Sequence, residues 1–347
     1  MNEEFECYDS QGMLGILKRF PEQCRTALGI GARFQIPEGL KTGIDEIIVL
    51  GMGGSGITGD LIKRFAIRPV SVCRNYQLPE FADDHTLLLA VSYSGNTEET
   101  LSALQDGLQR GGQVICISSG GELQRICERE GLPFIKIPAG LQPRAALGYL
   151  SLPLLWVCTQ LGMTSIPADA LEQLVETLEQ MAGELGPSVP NAENPAKSLA
   201  KELLGQVPLI YGTADNTDVV AQRWKAQLNE NSKQPAFWNF LPELNHNEIT
   251  GLTLMEKLMP NATVILLCND YDFDRNRRRI EIMKSILYDH GIPLQQIQAE
   301  GDSEVAQIYS QIYLGDFVSV YLAILNEIDP TPVEIIEAFK REMAQRS

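Results

Sequence analysis

Twice along this chain, strand-length apolar segments alternate with amphipathic ones, and this alternation constrains the fold more than any other feature. In the first half, DEIIVL (45–50), PVSVCRN (69–75), HTLLLAVSYSG (85–95), QVICISS (113–119) and LPFIKIPAG (132–140) read as strands. GITGDLIKRFA, NTEETLSALQDGLQRG and GELQRICEREG, between them, have helical periodicity. Short continuous apolar strands separated by helices of about 10–15 residues predict a parallel sheet covered on both faces. VPLIYGT (207–213), ATVILLCND (262–270) and PLQQIQAEG (293–301) repeat the plan with the helices DVVAQRWKAQLNENSK and RNRRRIEIMKSILYDHG. The expected fold class is α/β, with two domains, each a mostly parallel sheet flanked by helices.

Residues 1–40 read as a helical segment packed on the first domain, which spans 41–160. A helical connection covers 161–206 and contains GPSVPNAENPA (186–196), whose prolines suit a link between domains. The second domain is expected over 207–347 and ends in a long helical region, SEVAQIYSQIYLGDFVSVYLAILNEI, and a last helix, TPVEIIEAFKREMA (331–344).

Composition excludes several function classes. A net charge of −17 is unsuited to a phosphate polymer, so no nucleic-acid partner is expected, and RNRRR (275–279) reads as a solvated helix face. No stretch approaches the roughly 18 uninterrupted apolar residues of a membrane helix, and the acidic MNEEFECYDSQG start is no signal peptide. Seven cysteines without a C-x-x-C read as reduced, buried thiols in a cytoplasmic protein. The three histidines, His85, His246 and His290, show no ligand spacing, so no metal site is expected.

Two loops carry the chemistry. GMGGSGITGD (51–60) follows the first strand and contains G-x-G-x-x-G. A dinucleotide site also needs an acidic residue about 20 positions on, at the end of the second strand. That strand ends in Cys73-Arg74-Asn75, which weakens a nicotinamide or flavin reading, although an arginine there suits a 2′-phosphate. The second loop, Ser92-Tyr93-Ser94-Gly95-Asn96-Thr97, leaves the third strand and enters a helix at Glu98. Free N–H groups at the helix start, with the hydroxyls of Ser92, Ser94 and Thr97, surround an anion without any lysine or arginine. Ser55 offers a fourth hydroxyl. The plainer alternative is that Asn96 or Thr97 only caps the helix. Two hydroxyl-rich loops at adjacent strand ends favour a compact phosphate ester.

At these residues the chain resembles the sugar isomerase domain, whose S-x-S-G-x-[ST] loop binds the phosphate of phosphosugars. That fold also serves non-catalytic sensors, so the discriminator lies in LNENSKQPAFWNFLPELNHNEITG (228–251). Glu230 follows an amphipathic helix and His246 lies in a polar turn. The proline-bounded aromatic stretch between them, 236–240, reads as an active-site loop with buried interface anchors. Aldose–ketose isomerisation needs a base that moves a proton between C1 and C2, polar stabilisation of the enediolate and an acid/base for ring opening. Glu230 suits the first role, His246 the last, and Arg144 in QPRAALGYL the second; taken singly, each also suits a plainer role, Glu230 as a helix-surface charge, His246 as a surface or hydrogen-bonded residue and Arg144 in a structural ion pair.

More specifically, GMGGSG, SYSGNT, PRAALGY, LNENSKQPA, PELNHNEITG and YLGDFVSVYLA…IDPTPVEIIEAFK, in that order, resemble the bifunctional phosphoglucose/phosphomannose isomerase family. The resemblance implies two sugar-isomerase-type domains and interconversion of glucose 6-phosphate and mannose 6-phosphate with fructose 6-phosphate, without cofactor or metal. It implies Ser55, Ser92, Ser94 and Thr97, with Gly54, at the phosphate. It implies Arg144 beside C1 and C2, Glu230 as the isomerising base, His246 in ring opening from the partner of a homodimer, and Lys340 on the last helix. Thr331 is a candidate for the small side chain that admits both aldoses. The alternatives are a phosphosugar sensor of the same fold and an NAD(P)-dependent oxidoreductase.

Overall fold

The structure is a computed structural model that describes residues 7–41, 43–167 and 169–345. In chain order its first half contains α1 (Met13–Lys18), α2 (Phe20–Arg33), β1 (Glu46–Leu50), α3 (Gly53–Phe65), β2 (Val70–Cys73) and β3 (Thr86–Val91). Then come α4 (Glu98–Gln109), β4 (Gln113–Ser118), α5 (Gly121–Glu130), β5 (Phe134–Lys136) and α6 (Leu147–Gln160). The second half contains α7 (Ala170–Leu185), α8 (Pro195–Glu202), β6 (Val207–Thr213), α9 (Asp218–Glu230), β7 (Phe237–Leu241) and β8 (Ala262–Cys268). It ends with α10 (Asp274–Asp289), β9 (Leu294–Gln298), α11 (Glu304–Leu325) and α12 (Glu334–Gln345). The chain divides into two compact units. One comprises Arg19–Glu179 and Glu300–Tyr309; the other takes the chain up to Lys18, Gln180–Ala299 and everything from Ser310.

The first unit holds a five-stranded sheet in the order β2-β1-β3-β4-β5, parallel throughout. Ile47 to Leu50 and Leu87 to Val91 are fully buried, as expected of parallel strands with helices on both faces. On one face Ile48, Leu50, Leu88 and Ala90 pack with Ala103 and Leu104 of α4 and Leu123 and Ile126 of α5. Opposite, α3 lies close over β1 and β2. A Cβ on its Gly59 would come within 2.8 Å of Val72 and 2.9 Å of Val49. The strand order reverses between β1 and β3, so their carboxyl ends flank the crevice where open α/β sheets bind ligands.

The second unit holds the parallel sheet β7-β6-β8-β9, which repeats the order of the first four strands of the other. Here one expectation fails. The aromatic stretch 236–240 contributes strand β7, in register with β6 from Leu209↔Phe237 to Thr213↔Leu241. Bulky aromatics suit a pleated surface, and Pro235 and Pro242 sit just outside the strand, where no ladder hydrogen bond is lost. Ala236 is buried, Trp238, Asn239 and Phe240 are half-buried, and Phe237 is exposed, as on an edge strand.

Helix α11, though interrupted by Gln307, Gln311 and Asp316, is long and apolar enough to cross a membrane by length and composition. Its most apolar window is nevertheless 89% buried within the protein, so the apolarity is that of a core helix. The YLGDFVS motif lies on it and receives α9. Trp224 Nε1 donates to Gln311 O at 2.8 Å, and a Cβ on Gly315 would lie 2.2 Å from that nitrogen, so only glycine admits the indole. Next in the motif, Asp316 accepts from Arg223 Nη2 at 2.7 Å and Nε at 3.1 Å, and from Gln227 Nε2 at 2.9 Å, all out of solvent. Burial raises the Asp316 pKa, against the lowering effect of Arg223 and Gln227.

Candidate active site

The hydroxyl loop follows directly from β3. Ser92 is fully buried, and its Oγ lies 2.8 Å from Thr97 Oγ1 and accepts from Gly95 N at 3.1 Å. Ser94, exposed at the tip, accepts from Asn96 N at 3.2 Å. Gly95 has φ +71, and a Cβ there would sit 1.8 Å from Gly120 O. The loop is thus wedged against the turn that starts α5, with Asn96 Oδ1 accepting Glu122 N at 2.9 Å. The capping alternative is not what forms. Thr97 is the N-cap of α4 by backbone position but makes no side-chain cap bond; its hydroxyl turns to Ser92 and the Asn96 amide to α5.

The glycine loop opens α3 beside it. Ser55 is buried in the first turn, and its N–H, like that of Gly56, donates to Met52 O. A Cβ on Gly54 would approach Pro143 O to 3.4 Å and Arg144 Cα to 3.8 Å. The structure therefore brings Gly54 and Ser55 against the turn Pro143–Ala145 that carries buried Arg144. Gln23 on α2 holds that turn, donating Nε2 to Ala145 O at 2.9 Å and accepting Tyr149 N at 3.3 Å. Tyr93 joins the two loop systems, donating its hydroxyl to Pro138 O and accepting Leu141 N. Arg74, the residue that left room for a dinucleotide 2′-phosphate, pairs with Asp60 of α3, and its guanidinium lies over Gly56, within 2.8 Å of where a Cβ would stand.

The same topological position in the second sheet is closed by the chain itself. At the carboxyl ends of β6 and β8, the buried Asp272 carboxylate accepts from the Thr213 hydroxyl, from Asn216 Nδ2 at 2.7 Å and from Asn269 N at 3.1 Å. A carboxylate already sits where hydroxyl and amide donors would otherwise meet an anion. This distinction between the two sheets was not read from the sequence; the aspartate in NDYDF was its only signal.

Glu230 ends α9, half-buried, and the residues after it are tightly held. Asn231 Nδ2 donates to Ser319 Oγ at 2.9 Å and the Ser232 hydroxyl to Ser319 O at 2.6 Å. Gln234 Nε2 donates to Gln206 O at 2.7 Å. Lys233 Nζ reaches Asp329 O at 2.8 Å and Pro330 O at 3.0 Å. A cavity of about 400 Å³ opens beside Glu230, walled by Lys233, Ile328, Pro332, Val333 and Ile336. Lys340 is exposed on α12, one helical turn past Ile336, and is not one of the residues that wall the cavity. Thr331 is buried in the preceding turn, its N–H donating to Asp329 Oδ1 at 2.8 Å.

His246 stands elsewhere in this unit. It closes a short turn, Glu243–His246, beyond the carboxyl end of β7, and is exposed. The turn is stiff. Asn245 Oδ1 accepts from Arg279, Asn247 donates to Glu243, and Glu248 accepts from Asn239 and the Tyr211 hydroxyl. Burial first, and then Glu248, push the Tyr211 pKa far up, so the phenol stays a donor. Because α9 runs back along the parallel sheet, Glu230 lies at the amino edge and His246 past the carboxyl edge, separated by the length of β7, about 15 Å. Within one chain they are not brought together.

Residues 192–343 match the family described as the bacterial phospho-glucose isomerase C-terminal SIS domain. The bifunctional phosphoglucose/phosphomannose isomerase of Caldicellulosiruptor bescii is 41% identical over 329 residues, covering 94% of this chain and 97% of its own. A D-glucosamine-6-phosphate 4-epimerase of Sulfolobus acidocaldarius is 35% identical over 214 residues, 61% of this chain and 65% of that one. Among solved structures, a hypothetical protein from Thermus thermophilus shares the fold with a TM-score of 0.76 at 16% identity, over 97% of this chain and 91% of that one. With two parallel α/β units, the hydroxyl loop at the first switch point and this likeness along nearly its whole length, the chain belongs to the bifunctional phosphoglucose/phosphomannose isomerase family.

Proposed function

We propose that this protein interconverts glucose 6-phosphate and mannose 6-phosphate with fructose 6-phosphate by proton transfer between C1 and C2. The observation that carries the reading is the wedged loop at the β3 end. There Ser92 and Thr97 are already paired and no side chain caps the helix start. In this reading Ser92, Ser94 and Thr97, with Ser55 and Gly54, hold the phosphate, and Arg144 offsets the charge of the enediolate. Glu230 removes the C2 proton of the open-chain aldose, and the electron pair moves into the enediolate. Return of the proton to C1, with the hydroxyl proton passing from O2 to O1, gives the ketose. Lys340 supplies a cation from α12, the helix whose first turn borders the Glu230 cavity.

The separation of Glu230 from His246 supports a homodimer in which the partner subunit's His246 opens the sugar ring. The exposed apolar stripe of α12, with Ile335 at 87%, Phe339 at 66% and Met343 at 46%, supports the same assembly. Dual specificity requires the enediolate to rotate about C2–C3 or present its other face to the base, and the small Thr331 in the turn before α12 is the proposed source of that room. The enzyme is proposed to work in the cytoplasm, in keeping with seven unpaired cysteines, six of them buried.

The test is Glu230→Gln beside His246→Asn, each purified alone and then mixed with subunit exchange. Glu230→Gln is expected to lower kcat by about 10²–10⁴-fold while hexose 6-phosphate binding stays within a few-fold. Mixed dimers are expected to regain activity through one intact site. Equal loss of binding and turnover in Glu230→Gln would contradict the base assignment, and no recovery on mixing would contradict the shared site.

A further inference from the structure

We propose that Lys233 is the positioning residue of this site. Its ammonium, seated on the carbonyls of Asn231, Asp329 and Pro330, sets the Glu230 segment against the turn that launches the helix bearing Lys340. The proposal rests on the roles given above to Glu230 and Lys340.

Lys233 has φ +53, in the left-handed region that a side chain with no local hydrogen-bonding reason seldom adopts. Such a residue carries a backbone cost and persists only where its surroundings enforce it, most often at functional sites. The enforcement is visible here. Nζ lies 3.2 Å from Asn231 O, 2.8 Å from Asp329 O and 3.0 Å from Pro330 O, three acceptors for the three donors of an ammonium. The first carbonyl belongs to the residue after Glu230. The other two belong to the turn just before Thr331, nearly a hundred residues on. That turn is itself tied down, since the Asp329 side chain accepts from Thr331 N–H and from the Ser10 hydroxyl. Asn231 and Ser232 fix the Glu230 segment to α11, while Lys233 fixes it to the α12 turn. Lys233 and Glu230 also share the wall of the 400 Å³ cavity that α12 borders. A proton transfer between neighbouring carbons is sensitive to displacements of about 1 Å, which cost up to about 10²-fold in rate. A clamp joining the base to the cation-bearing helix acts on that distance.

The test compares Lys233→Met, Lys233→Gly, Glu230→Gln and wild type by steady-state kinetics on glucose 6-phosphate and by hydrogen–deuterium exchange. Glycine accepts the positive φ without strain, so it separates the backbone effect from the ammonium. Both Lys233 variants are expected to lose about 10–100-fold in kcat with KM within about threefold, and to exchange faster at 229–234 and 328–336 alone. Lys233→Gly with a kcat near wild type would overturn the proposal. So would a loss of kcat accompanied by faster exchange throughout the second sheet, which marks a general loosening. An inactive wild type would overturn the isomerase reading and this proposal with it. An active Glu230→Gln would remove the base that Lys233 is said to place. Neither result can be confused with a failure of Lys233 alone.

Discussion

At the scale of single residues, Gly95 shows how the hydroxyl loop is made. Its left-handed backbone turns the loop back so that Ser92 and Thr97 meet, and the Gly120 carbonyl occupies the place of any side chain. Because the obstacle is backbone, no rotamer change relieves it. Gly95→Ala is therefore expected to destabilise the protein by about 2–4 kcal/mol in urea unfolding and to raise KM for hexose 6-phosphates about tenfold or more. A variant within about 0.5 kcal/mol of wild type would show that the loop is not wedged as described. The hydroxyls of this loop were legible in the sequence because an apolar strand ends at Ser92 and a helix starts at Glu98, which is local information. The part played by Gly120 was not legible, since it comes from another strand's loop. Lys233 was hidden for the same reason: its partners lie at 329 and 330, and a lysine with positive φ has no sequence signature.

At the scale of elements, eight of the nine strands among the described residues were expected from the sequence, and the central ones, β1, β3, β4, β6 and β8, were legible as continuous apolar runs because central parallel strands are buried on both faces. The ninth, β7, is an edge strand bounded by prolines and half-exposed, so it has neither a continuous apolar run nor a clean alternation. Helix α11 shows the opposite limit. Its apolar character was plain, but the seat it offers to α9 depends on Gly315 and Asp316, whose partners are Trp224 and Arg223. Removing one member of that buried pair strands the other's charge. Arg223→Met is expected to cost about 3–5 kcal/mol in denaturant unfolding, and Arg223→Met with Asp316→Leu to cost distinctly less. Equal costs for the single and double variants would show that the pair does not couple α9 to α11. Glu230 ends α9, so the same substitution tests what holds the proposed base in place.

At the scale of the whole molecule, the two units repeat one strand order but differ at the switch point. The first carries the hydroxyl loop of Ser92, Ser94 and Thr97, and the second is filled by Asp272. In the proposed reading, that asymmetry matches a phosphate site assigned to the first sheet, with the proposed roles of Glu230, His246 and Lys340 falling to residues of the second unit. The most direct measurement is a coupled assay of fructose 6-phosphate formation, run separately on glucose 6-phosphate and mannose 6-phosphate with EDTA present, since the proposed proton transfer is assigned to a carboxylate. Turnover of both aldoses, with kcat/KM values within about tenfold of each other, is the predicted result. Thermal stabilisation by a hexose 6-phosphate without turnover of either would contradict it and identify the protein as a binder of phosphosugars.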